Sequence, residues 1–409
     1  MLRSSFLGGA LVLISLMSSS RPAAADQRTD QIVAALGSGA QVAGVVSTDE
    51  WTWTQVDVYD EPIPIRVDIL VTNGSDDRRA LYMFPGSATN FGAEFFTPRD
   101  QNIAHFMRKR GYVVIGVNPR TDALPEGENG AFLATWGLAK LRDDARGVIT
   151  KMQTVLPNGY DVLGHSLGAM EALDYAATYP ADVQKLYLID VVGAYDAATE
   201  PELRAQASKN FDQLQAILAN GTYGIDAGFK PLALVAKYFP LETDSGYPRP
   251  AGSTFTVTGL LYFALQYTNL IDLPTNPPLT NWLPAFCAGT YTFGDAPALD
   301  SFSLDYSTFP RLLDSLLSLR SALTATAQWR DVASVFAGNG FYTILFENIR
   351  AKVHWVNAGL GYGNHPHTAR LIRASSHKPV FYSVVDGYGH MDPVFASNAI
   401  NFWRLLVGE

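Results

Sequence analysis

The chain has 409 residues, of which 47% are hydrophobic and 17% charged, and this composition excludes an intrinsically disordered protein. Lysine and arginine together number 30 and aspartate and glutamate 39, which gives a formal charge of −9 at pH 7. Because a surface that binds nucleic acid needs a clustered positive excess, we expect no nucleic-acid partner.

The first 25 residues have the pattern of a secretory signal peptide. Arg3 precedes an apolar stretch, Phe6–Met17, which is too short to span a bilayer. Ala23–Ala25 offers a cleavage site that would leave Asp26 as the first mature residue. We therefore expect a secreted or periplasmic protein without a transmembrane helix, and an uncleaved amphipathic or anchoring helix is the alternative.

The pattern of apolar residues predicts an α/β fold. Period-two alternation over Trp51–Val58 and Ile65–Val71 indicates a β-hairpin. From residue 80 short apolar strands alternate with helices, which predicts a mostly parallel sheet with helices on both faces. The predicted strands are Ala80–Phe84, Tyr112–Val117, Tyr160–Leu163 and Val183–Ile189, and the predicted helices are Asn102–Arg110, Phe132–Met152 and Leu167–Tyr179.

The alternation stops near residue 196 and resumes near residue 351. We therefore predict a core made of residues 26–196 and 351–409, interrupted by an insertion over residues 197–350. Within the insertion, helices are predicted over Pro201–Leu218 and Phe309–Leu323. After it we predict the strands Val353–Ala358 and Val380–Val385 and the helices His367–Ser375 and Pro393–Leu406.

The most specific motif is Gly164-His165-Ser166-Leu167-Gly168, which stands between a predicted strand and a predicted helix. A serine at such a sharp turn is exposed above the sheet edge, and glycines two residues before and after it avoid a steric clash. The N-terminus of the following helix favours developing negative charge. The motif predicts Ser166 as a nucleophile, whereas the adjacent His165 is expected to point away and pack in the core.

A serine nucleophile needs a general base, and His390 is the best candidate. It follows the last predicted strand and precedes the last predicted helix, which puts it at the same sheet edge as Ser166. The order of serine before histidine along the chain also fits. His365-Pro366-His367 has no carboxylate or cysteine beside it, so we interpret it as a loop and predict no metal site.

These motifs give the sequence a resemblance to the α/β-hydrolase superfamily, with some segments similar to its lipases and esterases. The resemblance covers about residues 50–196 and 350–409 and rests on Pro85-Gly86-Ser87, Gly164–Gly168 and Gly389-His390. It implies an α/β-hydrolase fold with a largely helical lid or cap insertion, and a Ser–His–acid mechanism without cofactor or metal. Pro85 stands where many members have histidine.

The acid of this triad is the least determined residue. In this architecture it commonly follows the penultimate strand, but residues 357–364 contain no carboxylate. The other known position is the end of the strand after the serine's helix, where Asp190 stands. We therefore predict that Asp190 orients His390. The alternatives are Asp196, Asp386 and, as a neutral group, Asn364.

The superfamily's oxyanion hole uses two backbone N–H groups. The first is predicted to be that of Leu167. The second should come from the loop after Ala80–Phe84, where Ser87 is the better candidate and Ala88 the alternative. Gly86 allows the backbone to approach closely there.

Together these features predict a secreted serine hydrolase that cleaves carboxylic esters, most simply apolar acyl esters or lipids. Aromatic and aliphatic residues of the insertion suggest an apolar acyl pocket, although they fit the insertion's own core equally well: Phe255, Leu260, Leu261, Tyr262, Phe263, Trp282 and Phe286. The alternatives are an acyltransferase or an amide or peptide hydrolase with the same residues, and a non-catalytic binding protein on a hydrolase scaffold.

Overall fold

A computed structural model describes residues 23–99, 101–226, 228–238, 244–270, 272–273, 275, 279–280, 285–396 and 399–409. The predicted signal peptide lies outside these ranges except for its last three residues, which begin a helix over Ala23–Ala35. Among the helices of these ranges, none is long and apolar enough to cross a membrane.

A nine-stranded sheet lies at the centre of the structure. Its strands are β1 (Ala40–Ser47), β2 (Trp51–Val58), β3 (Ile65–Thr72), β4 (Arg79–Phe84), β5 (Tyr112–Val117), β6 (Tyr160–His165), β7 (Val183–Ile189), β8 (Lys352–Ala358) and β9 (Val380–Val385). Their spatial order is β1-β2-β3-β5-β4-β6-β7-β8-β9. The pairs β1–β2, β2–β3 and β3–β5 are antiparallel. The other five pairs are parallel, which confirms the predicted mostly parallel sheet and puts the carboxyl ends of β4, β6 and β7 at one edge.

Helices cover both faces of this sheet. Alternate side chains of a strand point to opposite faces, so each strand contributes to the packing on both sides. In β4, Tyr82 and Phe84 belong to one hydrophobic cluster, and Leu81 and Met83 belong to the other. The first cluster includes side chains of the helices Ala23–Ala35, Leu138–Met152, Leu167–Thr178 and His367–Ser375. The second includes side chains of the helices Ile103–Arg108 and Ile400–Val407.

The predicted helix over Phe132–Met152 is wrong in its first part. A 3-10 helix covers Ala131–Thr135, and the α-helix runs only over Leu138–Met152. Gly137 between them is extended, and the Leu138 N–H donates to Asp331 Oδ2 at 3.0 Å. A Cβ at Gly137 would lie 1.9 Å from that oxygen, so a larger residue there would displace the Asp331 carboxylate that caps the helix.

Within the described ranges, residues 197–350 contribute no strand to the central sheet. Their α-helices are Pro201–Ala219, Phe229–Tyr238, Val257–Gln266, Phe309–Leu317 and Thr326–Ala337. Their strands form four antiparallel pairs: Gly224–Asp226 with Leu323–Ala325, Asp244–Pro248 with Thr254–Thr256, Asp272–Leu273 with Leu279–Thr280, and Gly289–Thr292 with Ser301–Leu304. The predicted helix Phe309–Leu323 therefore ends early, since its last residue already belongs to a strand.

Shorter elements complete the chain. They are the α-helices Phe91–Glu94 and Asp392–Phe395 and the 3-10 helices Arg120–Ala123, Thr268–Leu270, Pro297–Leu299 and Phe346–Asn348. The single final helix predicted over Pro393–Leu406 is instead two helices, Asp392–Phe395 and Ile400–Val407, and the link between them includes two residues outside the described ranges.

His354 of β8 is a buried histidine, 3% exposed, between the rings of Tyr187 and Phe381. Neither of its ring nitrogens has a hydrogen-bond partner in the described part of the chain. Burial, together with nearby Lys352 and Lys185, lowers the pKa of His354 from 6.5 to about 4. The imidazole is therefore mostly neutral in the folded protein at pH values above about 4.

We expect His354→Leu to weaken the pH dependence of stability on the acid side. As the pH falls from 6.5 towards about 4, the unfolded chain gains a proton at this histidine while the folded chain does not, so the wild type loses stability. Leucine cannot titrate, so the variant should lose on the order of 2 kcal/mol less in its free energy of unfolding. Urea denaturation of both proteins at neutral pH and at pH 4 measures the difference, and equal losses would contradict the prediction.

Candidate active site

Ser166 occupies the turn between β6 and the helix Leu167–Thr178, with φ +55° and ψ −121°. A Cβ at Gly164 would lie 2.2 Å from the carbonyl oxygen of Gly168, and one at Gly168 would lie 2.0 Å from that of Phe84. The steric reason predicted for both glycines is therefore present. The turn holds Ser166 at the N-cap position of the helix.

His390 and Asp190 are in contact at the same sheet edge. His390 Nδ1 lies 2.6 Å from Asp190 Oδ2, and neither residue is more than 1% exposed. Asp190 directly follows β7, and its Oδ1 accepts a hydrogen bond from the Ala358 N–H at 2.9 Å. The Tyr362 N–H lies 3.2 Å from both carboxylate oxygens. Strand β8 and the loop after it therefore fix the carboxylate that meets His390.

The three alternatives to Asp190 lie elsewhere. Asp196 Oδ2 is 3.3 Å from His367 Nδ1, and Asp386 and Asn364 are exposed. In the described part of the chain none of the three is hydrogen-bonded to His390. There, too, no three histidine, cysteine, aspartate or glutamate side chains are grouped to hold a metal ion.

Burial lowers the pKa of His390, and the neighbouring His165 acts in the same direction, whereas the hydrogen bond that His390 donates to Asp190 opposes this effect. The rings of Phe286 and Tyr362 lie against the imidazole, with centroids at 6.0 and 5.4 Å. The described residues show no hydrogen bond between Ser166 and His390. Such contacts often tighten only when substrate binds.

The loop after β4 approaches the serine closely. A Cβ at Gly86 would lie 3.2 Å from Ser166 Cβ. Among the described residues, neither the Ser87 N–H nor the Leu167 N–H has a hydrogen-bond partner. Both amides therefore have the free donor that the predicted oxyanion hole requires.

The Ser87 side chain is held by two contacts from the insertion. Its Oγ lies 2.8 Å from Thr324 Oγ1 and accepts a hydrogen bond from Trp329 Nε1 at 2.7 Å. The insertion therefore fixes the loop that carries one of the two predicted oxyanion donors.

Backbone strain is concentrated at this edge. Four non-glycine residues in the described ranges have positive φ, and three of them are Ala88, Ser166 and Asp190. Such conformations cost on the order of 1–3 kcal/mol each and cluster at functional sites. This distribution is independent support for a functional site here.

The insertion is hydrogen-bonded to the loop that carries His390. The His390 N–H donates to the Ala285 carbonyl at 2.9 Å, and the Met391 N–H donates to the Phe286 carbonyl at 2.6 Å. Asp392 Oδ2 accepts N–H groups from both segments, at 2.7 and 2.8 Å. The position of His390 therefore depends on the insertion as well as on the sheet.

The apolar residues suggested as an acyl pocket have separate locations. Phe255, Tyr262 and Phe263 pack with Tyr291 in a cluster of their own, which favours their interpretation as the insertion's core. Phe286, in contrast, lies against His390. Trp282 lies outside the described residues.

His165 and Glu94 form a second buried polar pair that the sequence analysis missed. His165 Nδ1 lies 2.7 Å from Glu94 Oε1, and His165 Nε2 lies 2.9 Å from the carbonyl oxygen of His390. Both side chains are fully buried, so the expectation that His165 only packs in the core is incomplete. A histidine in a buried strand signals the need for polar partners, but the sequence does not identify a partner 71 residues away.

No protein-family model and no curated protein matches this sequence. Among solved structures, one described as a "putative lipase" from Sulfolobus solfataricus superposes with a TM-score of 0.59 at 16% identity, covering 91% of this chain and 100% of that chain. A carboxyl esterase from Bacillus coagulans has 14% identity and a TM-score of 0.44, covering 88% of this chain and 97% of that chain. Epoxide hydrolase A from Mycobacterium thermoresistibile has 13% identity and a TM-score of 0.46, covering 90% and 97%.

The first of these structures superposes over nearly the whole length of both chains. The identity is low, so the similarity concerns the fold. The chain has the α/β-hydrolase fold.

Proposed function

We propose that this protein is a secreted serine hydrolase of carboxylic esters, with Ser166 as nucleophile, His390 as base and Asp190 as orienting acid. The observation that carries the proposal is the 2.6 Å contact between His390 Nδ1 and Asp190 Oδ2, at the edge where Ser166 occupies a strained turn. The fold similarity to the solved structure described as a "putative lipase" is consistent with it. The proposal of export rests on the signal-peptide pattern of the first 25 residues.

Acylation begins when Ser166 Oγ attacks the ester carbonyl carbon while His390 Nε2 takes the hydroxyl proton. Asp190 accepts the Nδ1–H of His390 and stabilises the imidazolium. The Leu167 and Ser87 N–H groups donate to the oxyanion. His390 then gives the proton to the departing alcohol as the C–O bond breaks, which leaves an acyl-enzyme.

Deacylation repeats these steps with water as the nucleophile. His390 takes a proton from water as it attacks the acyl carbonyl, and the same two N–H groups hold the second oxyanion. When the carbonyl re-forms, the bond to Ser166 Oγ breaks and His390 returns its proton to the serine. The products are a carboxylic acid and the free enzyme.

The proposed substrates are esters with apolar acyl groups. The support is local: Phe286 places an aromatic ring beside the imidazole of His390. An alcohol that replaces water in the second step would make the protein an acyltransferase with the same residues.

We expect the mature protein to hydrolyse p-nitrophenyl esters and Ser166→Ala to lose about 10⁴-fold or more of this activity, because the nucleophile is removed. The series from acetate to palmitate should show higher kcat/KM for the longer chains. A preference for acetate would indicate that the substrates are small esters and not lipid-like ones. Equal activity of wild type and variant would contradict the proposal of ester hydrolysis and would favour a binding protein on this scaffold.

Asp190→Asn should lower kcat by about 10³- to 10⁴-fold, because the amide favours the wrong imidazole tautomer. Asp386→Asn is the matched control, since Asp386 is exposed and follows the neighbouring strand β9. We expect this control to keep kcat within about twofold. Normal turnover in Asp190→Asn with loss in Asp386→Asn would transfer the role to Asp386.

The pH profile of kcat/KM should have its acid limb below pH 6.5. Burial lowers the pKa of His390, so the imidazole loses its proton at a lower pH than ordinary histidine and the base form is present earlier as pH rises. Initial rates followed in a pH-stat measure the midpoint. A midpoint at or above pH 7 would contradict the expected direction.

A further inference from the structure

The Glu94–His165 pair connects the three backbone segments on which the proposed mechanism depends. Glu94 ends the short helix Phe91–Glu94, and His165 ends β6 immediately before Ser166. Both side chains are 0% exposed. None of the roles in the proposed mechanism uses either residue.

Each oxygen of the Glu94 carboxylate holds a different segment. Oε2 accepts a hydrogen bond from the Gly86 N–H at 2.8 Å and another from the Thr89 hydroxyl. Gly86 is the residue before Ser87, so this oxygen holds the loop with one proposed oxyanion donor. Oε1 lies 2.7 Å from His165 Nδ1, in the residue before the proposed nucleophile.

His165 continues the connection to the proposed base. Its Nε2 lies 2.9 Å from the carbonyl oxygen of His390. Because a carbonyl oxygen can only accept, Nε2 must carry a proton. One further proton lies between Nδ1 and Glu94 Oε1, and Nε2 donates to the His390 carbonyl whichever of these two atoms holds that proton.

Burial disfavours a charged His165, but the Glu94 carboxylate and its hydrogen bond outweigh this and raise the pKa of His165 above its ordinary value. A buried pair of this kind is weak evidence for stability, since well-packed apolar residues of similar volume stabilise as well or better. The polar atoms of the pair bind one another and two different backbone segments, and this arrangement is better explained by a need to hold those segments at fixed positions relative to one another.

We propose that Glu94 and His165 are positioning residues, which hold the Gly86–Ser87 loop, the Ser166 turn and the His390 backbone at fixed distances from one another. This inference rests on the proposed function, because it concerns the same site. Neither residue exchanges a proton with the substrate. If they act in this way, kcat depends on whether the side chain at position 94 is long enough to reach both partners.

The test compares Glu94→Ala, Glu94→Asp and Glu94→Gln with the wild type, using kcat per active site titrated with a fluorophosphonate. Glutamine has the reach of glutamate: its NH₂ donates to His165 Nδ1 and its oxygen accepts the Gly86 N–H. Aspartate keeps the charge but is one methylene too short to meet both partners. Aspartate therefore supplies the second variant if Glu94→Ala does not fold.

The matched control is Asp161→Ala. Asp161 is fully buried like Glu94 and lies in β6 like His165, but at the opposite end of the strand, where it accepts hydrogen bonds from Arg79 and Lys185. Its loss should lower stability without changing kcat per titrated site by more than about twofold. The control separates loss of folded protein from loss of turnover.

We expect Glu94→Ala and Glu94→Asp to lower kcat per titrated site by about 10- to 100-fold with KM nearly unchanged, and Glu94→Gln to stay within about fivefold of wild type. Wild-type kcat per site in all three variants, with lower melting temperature alone, would show a purely structural pair and overturn the inference. Loss in Glu94→Gln equal to that in Glu94→Ala would also overturn it, because charge and not reach would then matter. If wild type itself neither reacts with the fluorophosphonate at Ser166 nor hydrolyses esters, the proposed function fails, and this inference fails with it.

Discussion

The packing of the Gly168 backbone against the carbonyl of Phe84 sets the geometry of the whole sheet edge. A Cβ at this position would lie 2.0 Å from that oxygen, so only glycine lets the helix after β6 begin directly over the end of β4. The loop after β4 then reaches the serine turn, and the backbone of Gly86 passes close to Ser166. The two free amides belong to the next residue of each segment, Ser87 and Leu167.

Around this contact the edge is a buried polar network. Asp190, His390, Glu94 and His165 are each at most 1% exposed, and all four have polar partners. Burying such groups without partners would cost several kcal/mol each, so the hydrogen bonds are a condition for the fold as well as for any chemistry. Four of the partners are backbone groups: the N–H groups of Gly86, Ala358 and Tyr362 and the carbonyl of His390.

Local patterns predicted the elements whose limits are set by nearby residues. Strands β5 and β7 begin and end where predicted, because β5 is buried along its whole length and β7 over its last four residues. The helix expected over Phe132–Met152 could not be predicted correctly, because its start depends on Asp331, which is 193 residues away from Leu138. Strand β1 was also missed, since its side chains are mostly exposed or half-buried and show no alternation.

The same distinction applies to the site. The contact between His390 and Asp190 was predictable because the carboxyl ends of parallel strands meet at one edge, and the end of a strand can be recognised in the sequence. Glu94 was not predictable, because it lies on a four-residue helix in a segment without a strong pattern. Only the folded chain shows that its carboxylate is directed at His165.

The hydrogen bonds between residues 285–286 and the His390 loop have a consequence for how this protein can diversify. Insertions above a conserved sheet are usually treated as exchangeable modules that alter what a protein accepts and leave its chemistry untouched. Here the module supplies backbone carbonyls to the segment that holds the proposed base. Replacing it by another cap, in evolution or in the laboratory, would therefore require a new set of acceptors for the His390 and Met391 N–H groups before any new specificity could be expressed.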